Sequence, residues 1–115
     1  MPACALHHRR ALPRARSTWP RPTDQGAGEY DPTDRARYSG GDLRGVARRL
    51  DYIQGLGATA VWITPPVAAQ WWDPGVGYGG YHGYWASDFT AVDPHLGTLD
   101  DYRALSRALH GRGMY

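Results

Sequence analysis

GGDLRGVARRLDYIQGLGATAVWITPPV, Gly40 to Val67, is the stretch that decides the fold. Asp42 is a good helix N-cap, and Leu43, Val46, Ala47, Leu50, Ile53 and Leu56 recur at spacings of three and four, laying one apolar stripe along a helix. Arg44, Arg48, Arg49 and Asp51 fall on the opposite face, and Gly55 and Gly57 supply the backbone freedom that stops helices. Ala58 to Thr64 (ATAVWIT) is then a short apolar run of β-branched and aromatic residues without polar alternation, the pattern of a strand buried on both faces. Pro65 and Pro66 end it.

Downstream, Val67 to Tyr84 reads as one long loop, with Trp71, Trp72, Tyr78, Tyr81 and Tyr84 set among glycines. A second helix carries its own start signal: Thr98 as N-cap, Asp101 three residues on as a capping-box partner, and Asp100 favourable near the positive helix end. Its expected buried stripe is Tyr102, Leu105 and Leu109. Gly111 and Gly113 close it, and Met114 and Tyr115 look like the start of another strand.

Helix, buried strand, long loop, helix, strand start is the order of parallel βα units and predicts an α/β fold. A single parallel strand leaves backbone donors and acceptors unpaired on both edges, at about 1 to 3 kcal/mol for each buried group. The pattern therefore demands a larger sheet than one strand, and the domain is expected to be incomplete.

Composition narrows the partners. The formal net charge is +2, but Arg9, Arg10, Arg14, Arg16 and Arg21 all precede the first acid, Asp24; the remaining eight arginines face all 11 acids. A basic body for nucleic acid is thus absent. Residues 1 to 28, with their prolines and no hydrophobic periodicity, read as a disordered arm. The lone cysteine, Cys4, excludes an internal disulfide and leaves the redox compartment open. The start MPACALHHRRALPRARS shows no uninterrupted apolar run of an export signal, and no span approaches the ~20 apolar residues of a membrane helix.

Aromatic rings beside glycines in a loop suit carbohydrate, because the apolar faces of a pyranose stack on aromatic planes while Asp and His bond its hydroxyls. The tight cluster is YHGYWASDF, Tyr81 to Phe89. Composition leaves two readings open, an aromatic minicore that holds the loop down or a ligand surface. Trp71 and Trp72 divide in the same way between stacking platform and loop packing.

The first block, together with YHGYWASDFTAVDPHLGTLDDYRALSRALHGRGMY (Tyr81 to Tyr115), resembles the N-terminal part of glycoside hydrolase family 13, the α-amylase family, which includes cyclodextrin glucanotransferases. The likeness runs from about Gly28 to Tyr115, so residues 29–115 are expected to be a catalytic-domain fragment, with residues 1–28 unrelated to the family. The resemblance implies a partial TIM (β/α)8 barrel: its first helix, second strand and second helix, with the long loop on the catalytic face. It further implies that Tyr84 stacks on the sugar where the bond is cut, with Trp85 and His82 lining that subsite.

Gly40 and Asp42 fall where some members of the family hold a structural calcium ion, although Asp42 also serves as a plain helix cap. Calcium wants about six to eight oxygens, and no Asp-, Asn- and Gly-rich segment that would complete the set is recognisable upstream. Retaining cleavage of an α-glucoside needs two carboxylates about 5 to 5.5 Å apart; the resemblance places them beyond Tyr115, so no catalytic residue is expected within the chain. Asp100 and Asp101 are read as helix-dipole partners. The functional expectation is a fragment of an enzyme acting on α-glucan or maltooligosaccharide, inert alone. The alternatives are a noncatalytic carbohydrate-binding module using Trp71, Trp72, Tyr84 and Trp85, a transglycosylase fragment, and an interaction fragment whose open strand edges pair with another polypeptide.

Overall fold

The computed structural model describes residues 4–5 and 30–115. In chain order the elements are β1 (Cys4–Ala5), α1 (Leu43–Arg48), α2 (Leu50–Gly55), β2 (Val61–Trp62), β3 (Val67–Ala69), β4 (Ala86–Val92) and α3 (Leu99–His110). Of the stretch expected to be a disordered arm, Cys4 and Ala5 instead form a short strand; its remaining residues lie outside the described ones.

Asp42 begins the first helical segment as read, its carboxylate accepting the Gly45 N–H at 2.6 Å. The expected single helix is broken at Arg49 (φ −104°, ψ 8°), yet the stripe continues across the break. Leu43, Leu50 and Ile53 are buried with Leu105, Leu109 and Met114, and Val46, Ala47, Val61 and Ile63 pack against them. Two expected core positions fail. Leu56 stays in water because it is the C-cap where the chain turns off through Gly57, whose φ is +82°. Tyr102 lies at the margin of the α3 stripe and is exposed, no described element reaching far enough to cover it.

α3 opens with the complete capping box: the Thr98 hydroxyl accepts the Asp101 N–H, and the Asp101 carboxylate accepts the Thr98 N–H. Asp101 also takes the Arg44 guanidinium at 2.6 Å, tying α3 to α1, while Asp51 and Arg112 meet at 2.9 Å at the other end. At its C-terminus the chain reverses through Gly113 (φ +66°), which drops Met114 into the core.

The parallel strand is less solitary than expected. β1 pairs with β2 in parallel, Cys4 beside Val61 and Ala5 beside Trp62. Tyr115 donates its N–H to the Thr59 carbonyl at 3.0 Å and accepts the Val61 N–H at 2.7 Å, the alternation of a parallel ladder, as the strand start at Met114 and Tyr115 predicts. The strand expected to be buried on both faces is buried on one. Val61 and Ile63 point to the helices, whereas Trp62 is 67% exposed because no element among the described residues lies over its side.

The loop expected from Val67 begins instead as a strand, which pairs with a second strand just beyond the loop's end. β3 runs antiparallel to β4, with Val67 opposite Val92, Ala68 opposite Asp88 and Ala69 opposite Ala86, and two register irregularities bend the pair. This hairpin clamps both ends of the aromatic segment between its strands.

Candidate functional site

Residues 70 to 85 leave β3 and return to β4. At the tip, Asp73 and Tyr78 pair across a tight turn, the Asp73 N–H donating to the Tyr78 carbonyl at 3.0 Å. The return limb is fixed by main-chain bonds: Gly79 N–H to the Ala36 carbonyl (2.7 Å), Gly80 N–H to the Trp71 carbonyl (3.0 Å), Gly83 N–H to the Gly80 carbonyl (2.9 Å) and Gln70 N–H to the Trp85 carbonyl (2.9 Å). Three positions must be glycine: at Gly79 a Cβ would lie 2.8 Å from the Ala36 carbonyl oxygen. A Cβ at Gly80 would lie 1.8 Å from the Gln70 carbonyl oxygen, and one at Gly83, where φ is +77°, would lie 2.3 Å from that of Pro65. Gly83 thus presses the aromatic segment onto the chain just after β2.

The structure brings His82, Tyr84 and Trp85 together. The His82 ring lies 5.9 Å from that of Tyr84, nearly parallel at 28°, and 5.0 Å from that of Trp85, at 88°. The Tyr84 N–H donates to His82 Nδ1 at 3.0 Å, so His82 carries its proton on Nε2 when neutral. Tyr84 itself is 63% exposed. Beneath it the segment is braced by Tyr81, whose hydroxyl donates to the Arg35 carbonyl at 3.0 Å and lies 2.6 Å from the Tyr78 hydroxyl.

The two open tryptophan readings resolve differently. Trp71 is buried and packs the loop, so the four-ring platform of a binding module loses one member. Trp72 lies under the Arg37 guanidinium, 4.2 Å from the ring centroid, in a cation–π contact.

The polar centre of the region is Asp93, which the sequence reading did not single out. One Asp93 oxygen accepts the Trp71 indole N–H (2.6 Å) and the Ala69 N–H (2.9 Å); the other accepts the His95 N–H and meets His95 Nδ1, both at 2.9 Å. An ionised carboxylate only accepts, so His95 holds its proton on Nδ1, opposite to His82. The His95 ring stacks on Trp71 at 3.9 Å, and Tyr38 meets Trp71 edge-on at 4.9 Å. Burial pushes the Asp93 carboxyl pKa up, but the bonds from the His95 side chain, the Trp71 indole and the His95 and Ala69 main chain outweigh it and hold the value below that of an ordinary carboxylate. Burial, reinforced by the nearby Asp42 and Asp93 carboxylates, drives the Tyr38 hydroxyl pKa well above its usual value, and that hydroxyl donates to the Gly41 carbonyl. The available signal was Asp93-Pro94-His95, an Asx-turn sequence directly after β4.

Gly40 serves a backbone turn at φ +92°, and Asp42 spends a carboxylate oxygen on the helix cap. Among the described residues, no group of three or more His, Cys, Asp or Glu is placed to hold a metal ion.

Comparison with known proteins matches residues 16–115 to the family described as "Alpha amylase, catalytic domain". This chain belongs to the α-amylase family. The match begins upstream of Gly28 and so takes in residues that the sequence reading gave to the arm. An α-amylase of Streptomyces lividans is 50% identical over 90 residues, covering 74% of this chain and 10% of that protein. A cyclomaltodextrin glucanotransferase of Klebsiella oxytoca is 44% identical over 81 residues, covering 70% of this chain and 12% of that protein. Among solved structures, the Geobacillus thermoleovorans α-amylase complexed with acarbose superposes with a TM-score of 0.63 at 48% identity, covering 73% of this chain and 17% of that one. The α/β fold is therefore an α-amylase fold, and the chain spans between a tenth and a fifth of the length of these relatives.

Proposed function

We propose that α1 with α2, β2 and α3 are the first helix, second strand and second helix of a (β/α)8 barrel in a retaining glycosidase acting on α-1,4-glucan, and that Tyr84, with His82 and Trp85 beside it, contacts the sugar. The observation that carries this reading is the exposed Tyr84 ring, held at the C-terminal end of β2 by the contact of Gly83 with Pro65. In a barrel that end is the catalytic face. A tyrosine whose main-chain N–H is tied to His82 Nδ1 and whose ring faces water beside that imidazole is suited to stack on a pyranose.

On this reading the chain binds without cleaving. Asp93 is committed to four nitrogen partners and Asp101 to a helix cap, which leaves both carboxylates in structural roles. The Klebsiella oxytoca relative supports transglycosylation as the second reading for the intact enzyme.

The test is maltoheptaose titration of the 115-residue chain followed by tryptophan fluorescence, together with an assay on starch, maltooligosaccharide and cyclodextrin. Saturable binding is expected, weakened about three- to tenfold by Tyr84→Ala, the size of one aromatic stacking contact, with no bond cleavage. Equal affinity in the variant, or turnover by the chain, overturns the reading.

A further inference from the structure

The main chain that carries Tyr84 is held by bonds to residues outside the aromatic cluster. Tyr84 lies between Gly80 and Trp85, and both ends of that span hang from two consecutive residues: Gly80 N–H on the Trp71 carbonyl and Trp85 carbonyl on the Gln70 N–H. Residues 70 and 71 are in turn suspended from one carboxylate, which takes the Ala69 N–H on one side of them and the Trp71 indole N–H on the other. That carboxylate is itself anchored, since the Asp93 N–H donates to the Pro66 carbonyl at 2.8 Å and its second oxygen is held by His95. Pro66 adjoins Pro65, the residue against which Gly83 rests. The path from Asp93 to Tyr84 is therefore a closed loop of short contacts that starts and ends on the segment following β2.

We infer that Asp93 is a positioning residue for sugar binding: through Trp71 it fixes where the Tyr84 ring stands relative to the end of β2. The inference rests on the reading of Tyr84 as the sugar contact, but its geometric half stands apart from that reading. Asp93 is suited to the task because it is almost wholly buried, so water cannot replace a lost donor, and because its two oxygens face only donors. Asparagine in its place would turn an NH2 toward either the Trp71 indole or the His95 ring and break one side of the suspension. Trp71→Phe keeps an aromatic ring in the stack with His95 and Tyr38 while deleting the indole N–H and part of the bicycle, so the protection of the α3 amides is what separates lost positioning from lost packing.

The experiment uses the isotopically labelled 115-residue chain with Asp93→Asn, Trp71→Phe and Tyr84→Ala, reading amide exchange and ring resonances by NMR and affinity by maltoheptaose titration. In the first two variants the Gly80 amide should exchange about tenfold faster or more, as local opening without global unfolding does. The Tyr84 and His82 signals should move, and maltoheptaose affinity should fall toward that of Tyr84→Ala, while the Leu105 and Leu109 amides of α3 stay protected. Unmoved Gly80 and Tyr84 signals in a folded Trp71→Phe chain overturn the inference, and so does loss of α3 protection in both variants, which marks a global role. If Tyr84→Ala binds maltoheptaose as the parent does while Tyr84 still shifts in the Asp93 and Trp71 variants, the positioning stands and the sugar-contact reading alone falls.

Discussion

Trp71 donates its indole N–H to Asp93 across 22 positions of sequence at 2.6 Å, and both groups are buried. A hydrogen bond to an ionised group is worth more than a neutral one, so Trp71→Phe should lower unfolding free energy by about 1.5 to 3 kcal/mol. Urea denaturation monitored by circular dichroism measures it. A change below the error of the fit would show that the bond is not formed in solution.

Acid should act on the same group. The folded-state pKa of Asp93 is depressed, so its stabilisation is present above the unfolded carboxylate value, about 3.9, and is lost as pH falls through the lower folded value. Melting temperatures of the parent and Asp93→Asn should therefore stay well apart from neutral pH down to about 4 and converge below it. A separation that is constant down to acid pH contradicts this.

The glycines divide by what surrounds them. Gly57→Ala meets nothing within 4 Å and carries only the strain of φ +82°, about 1 to 2 kcal/mol. Gly83→Ala adds a collision with the Pro65 carbonyl to a similar φ and should cost about 3 kcal/mol or more. Thermal melts of the two variants rank them, and equal losses would mean that the Gly83 contact yields freely.

At the start of α3, Thr98→Ala removes the capping hydroxyl and should cost about 1 kcal/mol. Arg44→Ala removes a half-exposed ion pair and should cost less than about 1 kcal/mol, shrinking further in salt. Denaturation at low and high sodium chloride distinguishes them, because only the arginine effect depends on salt.

What sequence revealed follows the range of the interactions. The Leu43, Leu50 and Ile53 stripe and the Thr98 box are local patterns, and both stand as read. Leu56 and Tyr102 have the right spacing but no neighbour to cover them, which periodicity cannot register. β4 escaped notice because its residues are largely exposed and its partner, β3, lies beyond an intervening loop. His82, Tyr84 and Trp85 were legible as a cluster because they are neighbours in sequence. The Asp93 hub was not, since the contacts that give it meaning come from Ala69 and Trp71.

Suspending residues 70 to 85 at their base leaves the far tip, residues 74 to 78, exposed to solvent. Val76 points into solvent, Gly77 makes the turn at φ +62°, and the Asp73 and Tyr78 pair seals it behind them. Within it, the Gly75 and Gly77 N–H groups both return to Asp73, so the exposed Val76 side chain is the position where variation disturbs least. The same loop thus joins a tolerant rim for evolutionary or engineered variation to an anchored base that admits almost none.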